Sequence, residues 1–264
     1  MRPIPILLYH SVSDNPSSAL EDYTLAPARL AEHAETIVGQ GWRVLTVSEL
    51  VTTRRTGGIG EEPTMAITFD DGFADTAEVG AAILSQYGLS ATLYVTSGYV
   101  GAQCNWLGPD GRRPMASWQQ LRDLATAGWE IGAHSVDHPE LDVLARREAR
   151  MQIQRSRTDL QDGLGLCVDS FAYPHGYHSR SVRDEVIAAG FHNACAVKNG
   201  LSSADDDPFA LARVTVTSSM TSDDIARLLD DCRHGVGDPV GTGERFRTKA
   251  WRCYRRSRHH MRRA

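Results

Sequence analysis

Met65-Ala66-Ile67-Thr68-Phe69-Asp70-Asp71-Gly72-Phe73 decides how the rest of the chain is read. A short apolar run rich in strand formers stops at two adjacent carboxylates and a glycine. Successive residues at a strand end point in different directions, so Asp70 and Asp71 can be neighbours and do different work. Two buried, unpartnered carboxylates side by side cost roughly several kcal/mol unless a cation or a shared proton relieves them. A helix N-cap is the plainer alternative, since Asp-Gly ahead of an Ala-rich helical segment is ordinary. The flanking chain has to choose.

Upstream, residues 56–63 carry three glycines and a proline and form a turn. Before them the pattern predicts a helix to about residue 55 capped by Ser48, a short strand over 44–47, and a helix over 27–40. That last helix has Pro27 at its start and Gly41 just past its end. Residues 14–23 form a polar loop, and the first strand, 4–9, ends at His10-Ser11. Downstream, a helix over 75–87 leads to a strand over 91–96 and a long loop, 97–116. Ser117 caps a helix to residue 127, and the strand 129–133 ends at His134. A charged helix (140 to about 160), a strand (168–172), a helix (181–189), two last strands (191–197 and 211–216) and a helix (222–229) complete the pattern. Seven or eight strands alternating with helices imply an α/β fold around a parallel sheet. At this length a (β/α) barrel, one domain over residues 1–240, is favoured over an open sheet. No G-x-G-x-x-G follows the first strand, which counts against a dinucleotide-binding sheet.

The 264 residues, 41% hydrophobic and 23% charged, suit a soluble globular protein. The net charge of -5 conceals an asymmetry. Residues 241–264 hold eight Arg and one Lys against one Glu, leaving 19 basic and 32 acidic residues for everything before them. An acidic body with a basic tail argues against nucleic acid as a partner. The five cysteines are scattered and include no C-x-x-C pair, which argues against a disulfide framework or zinc ribbon and suits a reducing compartment. The first ten residues form an apolar run that is short, interrupted by prolines, and followed by no small-residue cleavage site. No stretch approaches the roughly 20 apolar residues of a membrane span. The expectation is a cytoplasmic chain, membrane-associated only if the basic tail touches a surface.

In such barrels functional residues collect at the C-terminal ends of strands. His10 ends one predicted strand, Asp70 and Asp71 another and His134 a third, with His138 four residues on; Tyr173-Pro174-His175-Gly176 ends a fourth. His134 and His138 fall on one side of a helical turn or tight loop. Two imidazoles with one carboxylate make a catalytic rather than a structural metal-ligand set, because a position stays open for water. His33, His178, His192 and His234 read as ordinary core or surface histidines.

Thr68-Phe69-Asp70-Asp71-Gly72 together with His134-Ser135-Val136-Asp137-His138 resembles the first two motifs of the polysaccharide deacetylases, the NodB-homology enzymes of carbohydrate esterase family 4. The resemblance covers about residues 3–230 and implies a distorted (β/α) barrel. It also implies a metal-dependent hydrolase that removes N-acetyl groups from an amino-sugar saccharide. Carried over by residue, Asp71, His134 and His138 would hold one divalent ion, with zinc as the default and cobalt, nickel or iron as alternatives. Asp70 would be the general base. No Leu-x-His closes the chain, but Leu7-Leu8-Tyr9-His10-Ser11 opens it. That is similar to the permuted branch resembling the poly-β-1,6-N-acetylglucosamine deacetylases, so His10 would be the catalytic acid. Phe171-Ala172-Tyr173-Pro174-His175-Gly176 departs from Arg-Pro-Pro-Tyr-Gly. His175 stands in the tyrosine's place, and its backbone N–H would bind the oxyanion. The arginine expected to orient the base is missing from that motif. Arg213 either supplies it or is a surface residue of the last strand.

Two other readings keep different chemistry: the same fold acting on a small amide, cyclic imide or acetyl ester, and a saccharide-binding relic without catalysis. Trp106, with Tyr99 and Tyr177 behind it, is the candidate for stacking on a sugar ring, while Trp118 and Trp129 read as packing residues. The tail interleaves Phe246, Trp251 and Tyr254 with nine cations over 245–263. It reads as a solvated tail or as a peripheral anchor to anionic lipid.

Overall fold

The computed structural model describes residues 3–57, 62–197, 200–203 and 205–235; the basic tail, 241–264, lies outside them. The central strand, β5 (Thr64–Phe69), is buried along its whole length. A strand covered on both faces belongs in a parallel sheet walled by helices. On one edge β5 pairs in parallel with β1 (Ile6–Tyr9). On its other edge it meets β4 (Arg43–Leu45) first and β6 (Thr92–Val95) further along. The sheet continues through β7 (Glu130–Ala133), β8 (Ser170–Ala172) and β9 (Asn193–Cys195), all parallel. Residues 211–215 then join the two edges: Leu211 bridges to Cys195, and β10 (Val214–Thr215) pairs with β1. The sheet has eight strands and is curled, in agreement with the seven or eight expected. Two short strands, β2 (Ser11–Val12) and β3 (Thr24–Leu25), form a separate parallel pair that the sequence pattern did not announce.

Side-chain parity explains the layering. Leu7, Tyr9, Met65, Ile67, Phe69, Leu93 and Val95 belong to the main core. Their even-numbered neighbours Ile6, Ala66 and Tyr94 join Ala172, Cys195 and Leu211 in a second cluster on the other face of the sheet. Residues 66, 68 and 70 share that face, which carries Asp70 toward the barrel interior rather than toward the helices.

The outer layer comprises α1 (Pro27–Gly39), α2 (Val47–Arg55), α3 (Ala81–Gln86), α4 (Trp118–Thr126), α5 (Arg146–Leu164), α6 (Arg180–Ala188) and α7 (Ser222–Arg233). Ser117 caps α4 as expected, closing a reciprocal capping box with Gln120. Three expectations need correction. Thr46, not Ser48, caps α2, because Glu49 sits three residues after Thr46 and completes the box. Ser48 lies inside the helix and accepts a hydrogen bond from Asn193 Nδ2 at 2.9 Å. The helix expected from residue 140 starts at Arg146 and runs on to Leu164; burial of Leu141 and Val143 holds the preceding segment in a 3-10 turn. The helix expected over 75–87 opens as a π-helical turn, Thr76–Gly80, before α3. Among the described residues, no helix is long and apolar enough to cross a membrane.

Candidate functional site

Four of the strand ends named from the sequence meet at one rim. Asp70 leaves β5 on the interior parity and meets Arg213, which is fully buried. Nη1 and Nη2 of Arg213 donate to Oδ1 and Oδ2 of Asp70 at 2.6 and 2.7 Å. Nη1 also reaches Thr68 Oγ1 at 3.2 Å, and Nε donates to the Ala196 carbonyl at 3.2 Å. The surface alternative for Arg213 is therefore excluded. Burial works against the charged form of Asp70, and Arg213, followed by His134, more than offsets it, holding the carboxyl below its usual range.

Asp71 breaks the parity. Its φ of 75° is left-handed and turns the side chain away from Arg213 toward the two imidazoles. Gly72 follows at φ 90°, where a Cβ would sit 3.2 Å from the Val95 backbone, so a glycine is needed there. Oδ1 of Asp71 lies 3.1 Å from His138 Nε2 and 3.6 Å from His134 Nε2. Candidate ligand atoms of all three residues fall within 4.8 Å of one another, and all three residues are buried.

Local backbone geometry aims the histidines. His134 ends β7, and its Nδ1 is 2.8 Å from the Ala172 carbonyl at the end of β8. A carbonyl only accepts, so Nδ1 carries the proton and Nε2 presents a lone pair to Asp71. His138 is brought round by a tight loop rather than a helical turn: Ser135 and His138 have φ of 65° and 58°. The His138 N–H donates to Ser135 Oγ at 3.1 Å, and Gln152 Oε1 on α5 accepts from the N–H groups of Val136 and Asp137, each at 3.0 Å. Ser135 and Gln152 were not visible as site residues in the sequence, because both act through the backbone of a loop.

All four non-glycine residues with positive φ among those described are Asp71, Ser135, His138 and His175. Left-handed backbone costs roughly 1–2 kcal/mol per residue, and such strain gathers where surrounding structure enforces a functional geometry. His175 (φ 57°) sits in the turn after β8, its exposed ring edge-on to His138 with centroids 4.5 Å apart. Gly176 beside it is required, since a Cβ there would lie 2.4 Å from the Val197 backbone nitrogen.

The arrangement fits a divalent cation. Burial pushes the His134 imidazole down to about 4, so it is neutral at pH 7 and its Nε2 lone pair faces the Asp71 carboxylate. Two lone-pair donors pointed at each other in a buried site repel unless a cation lies between them. Asp71 is held ionised: burial opposes its charge, and His138, whose Nε2 lies 3.1 Å from Oδ1, does most to outweigh that opposition. An Asp-His-His set with further coordination positions open suits a catalytic metal.

His10, at the end of β1, stands beside this cluster with its ring against Tyr23, centroids 5.2 Å apart. Burial lowers its pKa, while Asp71 and Asp70 act in the opposite direction. Its Nδ1 is buried without a hydrogen-bond partner among the described residues. Trp106 stacks on His138 at 4.8 Å and meets Tyr99 edge-on. Tyr177 stacks on His175. Trp129 is buried against Phe69 and Trp118 packs against the core, as expected for both. His33 is a satisfied core residue between Tyr9 Oη and the Met220 carbonyl.

Residues 57–194 match the family model described as polysaccharide deacetylase, just over half of the chain. The chain belongs to the polysaccharide deacetylase family. By family it is a hydrolase of non-peptide carbon–nitrogen bonds acting on N-acetyl groups of carbohydrates. The matched segment contains Asp70, Asp71, His134, His138 and His175 and leaves out His10 and Arg213, which only the fold brings to them. YxkH of Bacillus subtilis (strain 168), named as a polysaccharide deacetylase, is 23% identical over 218 residues, 83% of this chain and 73% of its own length. The fold is shared with the Streptococcus pyogenes deacetylase PplD, solved in complex with acetate, at a TM-score of 0.76 and 19% identity over 86% of this chain and 98% of that one. It is shared also with IcaB from Ammonifex degensii (TM-score 0.74, 22% identity, 88% and 98% covered) and a de-N-acetylase from Aggregatibacter actinomycetemcomitans (0.72, 18%, 85% and 98%). These likenesses of fold cover 85–88% of the chain, more than the 57–194 segment that the family model matches.

Proposed function

We propose that this polysaccharide deacetylase removes N-acetyl groups from an amino-sugar saccharide using one divalent metal ion, zinc by default, and that it belongs to the permuted branch whose acid lies at the front of the chain. The observation that carries the reading is the buried Asp71–His134–His138 cluster with the Asp70–Arg213 pair beside it. A divalent ion in the cluster would polarise the acetyl carbonyl and make nearby water acidic enough to react at neutral pH.

Every other part is supplied by the chain. Asp70, ionised and clamped at both oxygens by Arg213, accepts the proton of the attacking water. Its Oδ2 lies 3.9 Å from His134 Nε2, so the base and the ligand set share one pocket. The backbone N–H of His175 donates to the oxyanion as the carbonyl carbon becomes tetrahedral. His10, buried beside the Asp71 and Asp70 carboxylates that favour its protonated form, gives its proton to the departing amine. Acetate and a free amino sugar leave. That one fold neighbour is a de-N-acetylase and another was solved with acetate supports this choice of bond. The test is acetate release from N-acetylglucosamine oligomers, set beside small amides, cyclic imides and acetyl esters; turnover confined to the small substrates would contradict the saccharide reading.

The proposal includes a domain boundary near residue 240 and contact of 245–263 with anionic lipid, each cation contributing about 1 kcal/mol. Co-sedimentation with anionic vesicles should exceed that of a chain ending at residue 241, and equal pelleting would remove the lipid contact.

A further inference from the structure

The loop that supplies Asp70 and Asp71 also grips the segment carrying His10. Asp75 Oδ2 accepts from Ser11 Oγ at 2.6 Å, and Oδ1 accepts from the Val12 N–H at 3.3 Å. The Thr76 hydroxyl donates to the His10 carbonyl at 2.7 Å. Residue 10 is therefore tied to Thr76, and residues 11 and 12 to Asp75. Arg113 completes the clamp: its Nη2 donates to Asp75 Oδ2 at 2.8 Å and its Nη1 to the Asn15 carbonyl at 3.1 Å. The Asp75–Arg113 pair is largely enclosed, with side chains 18% and 13% exposed.

The backbone is shaped for this contact. Thr76–Gly80 is a π-helical turn, a rare geometry that is frequent at functional sites. Gly80 packs against Val12, where a Cβ would come within 3.3 Å of Cγ2. Among the described residues His10 Nδ1 has no hydrogen-bond partner, so the aim of the imidazole depends on how its backbone is held.

We propose that Asp75 is a positioning residue for His10: the clamp made by Asp75, Thr76 and Arg113 fixes the imidazole where it can protonate the departing amine. This rests on His10 being the acid. Expelling an amine requires that proton, because the C–N electron pair must leave on a protonated nitrogen. An aryl acetate expels a phenoxide without it. Loss of the clamp should therefore slow amide cleavage selectively, whereas a merely structural contact would slow both reactions together.

The experiment compares wild type, H10A, D75N and S11A on an N-acetylglucosamine oligomer and on 4-nitrophenyl acetate, with metal content measured for each. H10A should lose about 10²–10⁴-fold on the oligomer and less than about three-fold on the ester. D75N should lose about 10–100-fold on the oligomer, as expected for a small displacement of a catalytic group, with the ester nearly unchanged. S11A, which keeps the Asp75–Arg113 pair, should show the same selectivity with a smaller loss, and carries the test if D75N folds poorly. Equal losses on both substrates in D75N and S11A, or none on either, overturn the proposal while a selective H10A leaves the acid assignment standing. An H10A variant that slows both substrates equally removes the acid assignment and the clamp's role with it.

Discussion

Replacing Arg213 with methionine is the perturbation whose size the structure sets most directly. The guanidinium is fully buried and bidentate to Asp70, which is itself only 3% exposed. R213M leaves that carboxylate without a cation beside a second carboxylate, Asp71. Removing one partner of a buried ion pair costs about 3–5 kcal/mol, a large part of the ~5–15 kcal/mol that holds a domain together. At ~2–4 °C per kcal/mol for a chain of this size, Tm should fall by ~6–20 °C. Neutralising the stranded charge should restore much of the loss, so the R213M/D70N cycle should give a coupling of ~2–3 kcal/mol. The pH dependence has a definite sign. In wild type the folded pKa of Asp70 is depressed, so its contribution is complete above the ordinary aspartate value of about 3.9 and is lost as pH falls below it. In R213M burial acts with Arg213 absent and raises the folded pKa. The deficit of R213M relative to wild type should therefore shrink as pH falls through the carboxylate range. Urea unfolding of metal-free protein at pH 7 and about pH 4 measures both effects. R213M within about 0.5 kcal/mol of wild type at pH 7, or a deficit that D70N does not relieve, would refute the reasoning.

Other consequences follow from the same geometry. D70N should retain metal and lose about 10²–10⁴-fold in kcat, whereas H134A should lose the metal itself, as elemental analysis would show. H175A keeps the backbone donor and should stay within about ten-fold of wild type; a 10²–10³-fold loss would mean the ring takes part. H175G should be more stable than H175A by about 0.5–1 kcal/mol in thermal unfolding, relief of left-handed strain outweighing glycine's greater unfolded freedom. Far from the site, Arg150 and Arg146 hold the enclosed Glu185 carboxyl down to about 2. Its contribution is present above the ordinary value of 4.5 and is lost as pH falls through about 2. Unfolding titrations should show E185Q losing less stability than wild type across that window, and parallel acid limbs would contradict it.

Much of this site was legible because strand ends are legible. The apolar run before Asp70, the imidazoles after residue 133 and the front-end His10 could each be placed at the C-terminal end of a strand, and the fold then brought them together. The cap of α2 is legible too: Glu49 three residues after Thr46 is the box signature, whereas Ser48 has Val51 at the same spacing. What could not be read is what depends on distant partners. Arg213 in Leu-Ala-Arg-Val resembles a surface residue until its carboxylate arrives from 143 positions away. The left-handed turns at Asp71, Ser135, His138 and His175 are enforced by packing; Asp and His enter that region more readily than most residues, but too seldom for the type alone to mark a position. Asp75 carries no motif of its own; its role exists only because Ser11 and Val12 fold against it.

The central claim is that Asp71, His134 and His138 hold the metal on which deacetylation depends. Purified protein should contain close to one equivalent of divalent metal by elemental analysis. Acetate release from an N-acetylglucosamine oligomer should vanish with full chelation and return in proportion to metal restored. Undiminished acetate release from protein shown to be metal-free would contradict the account.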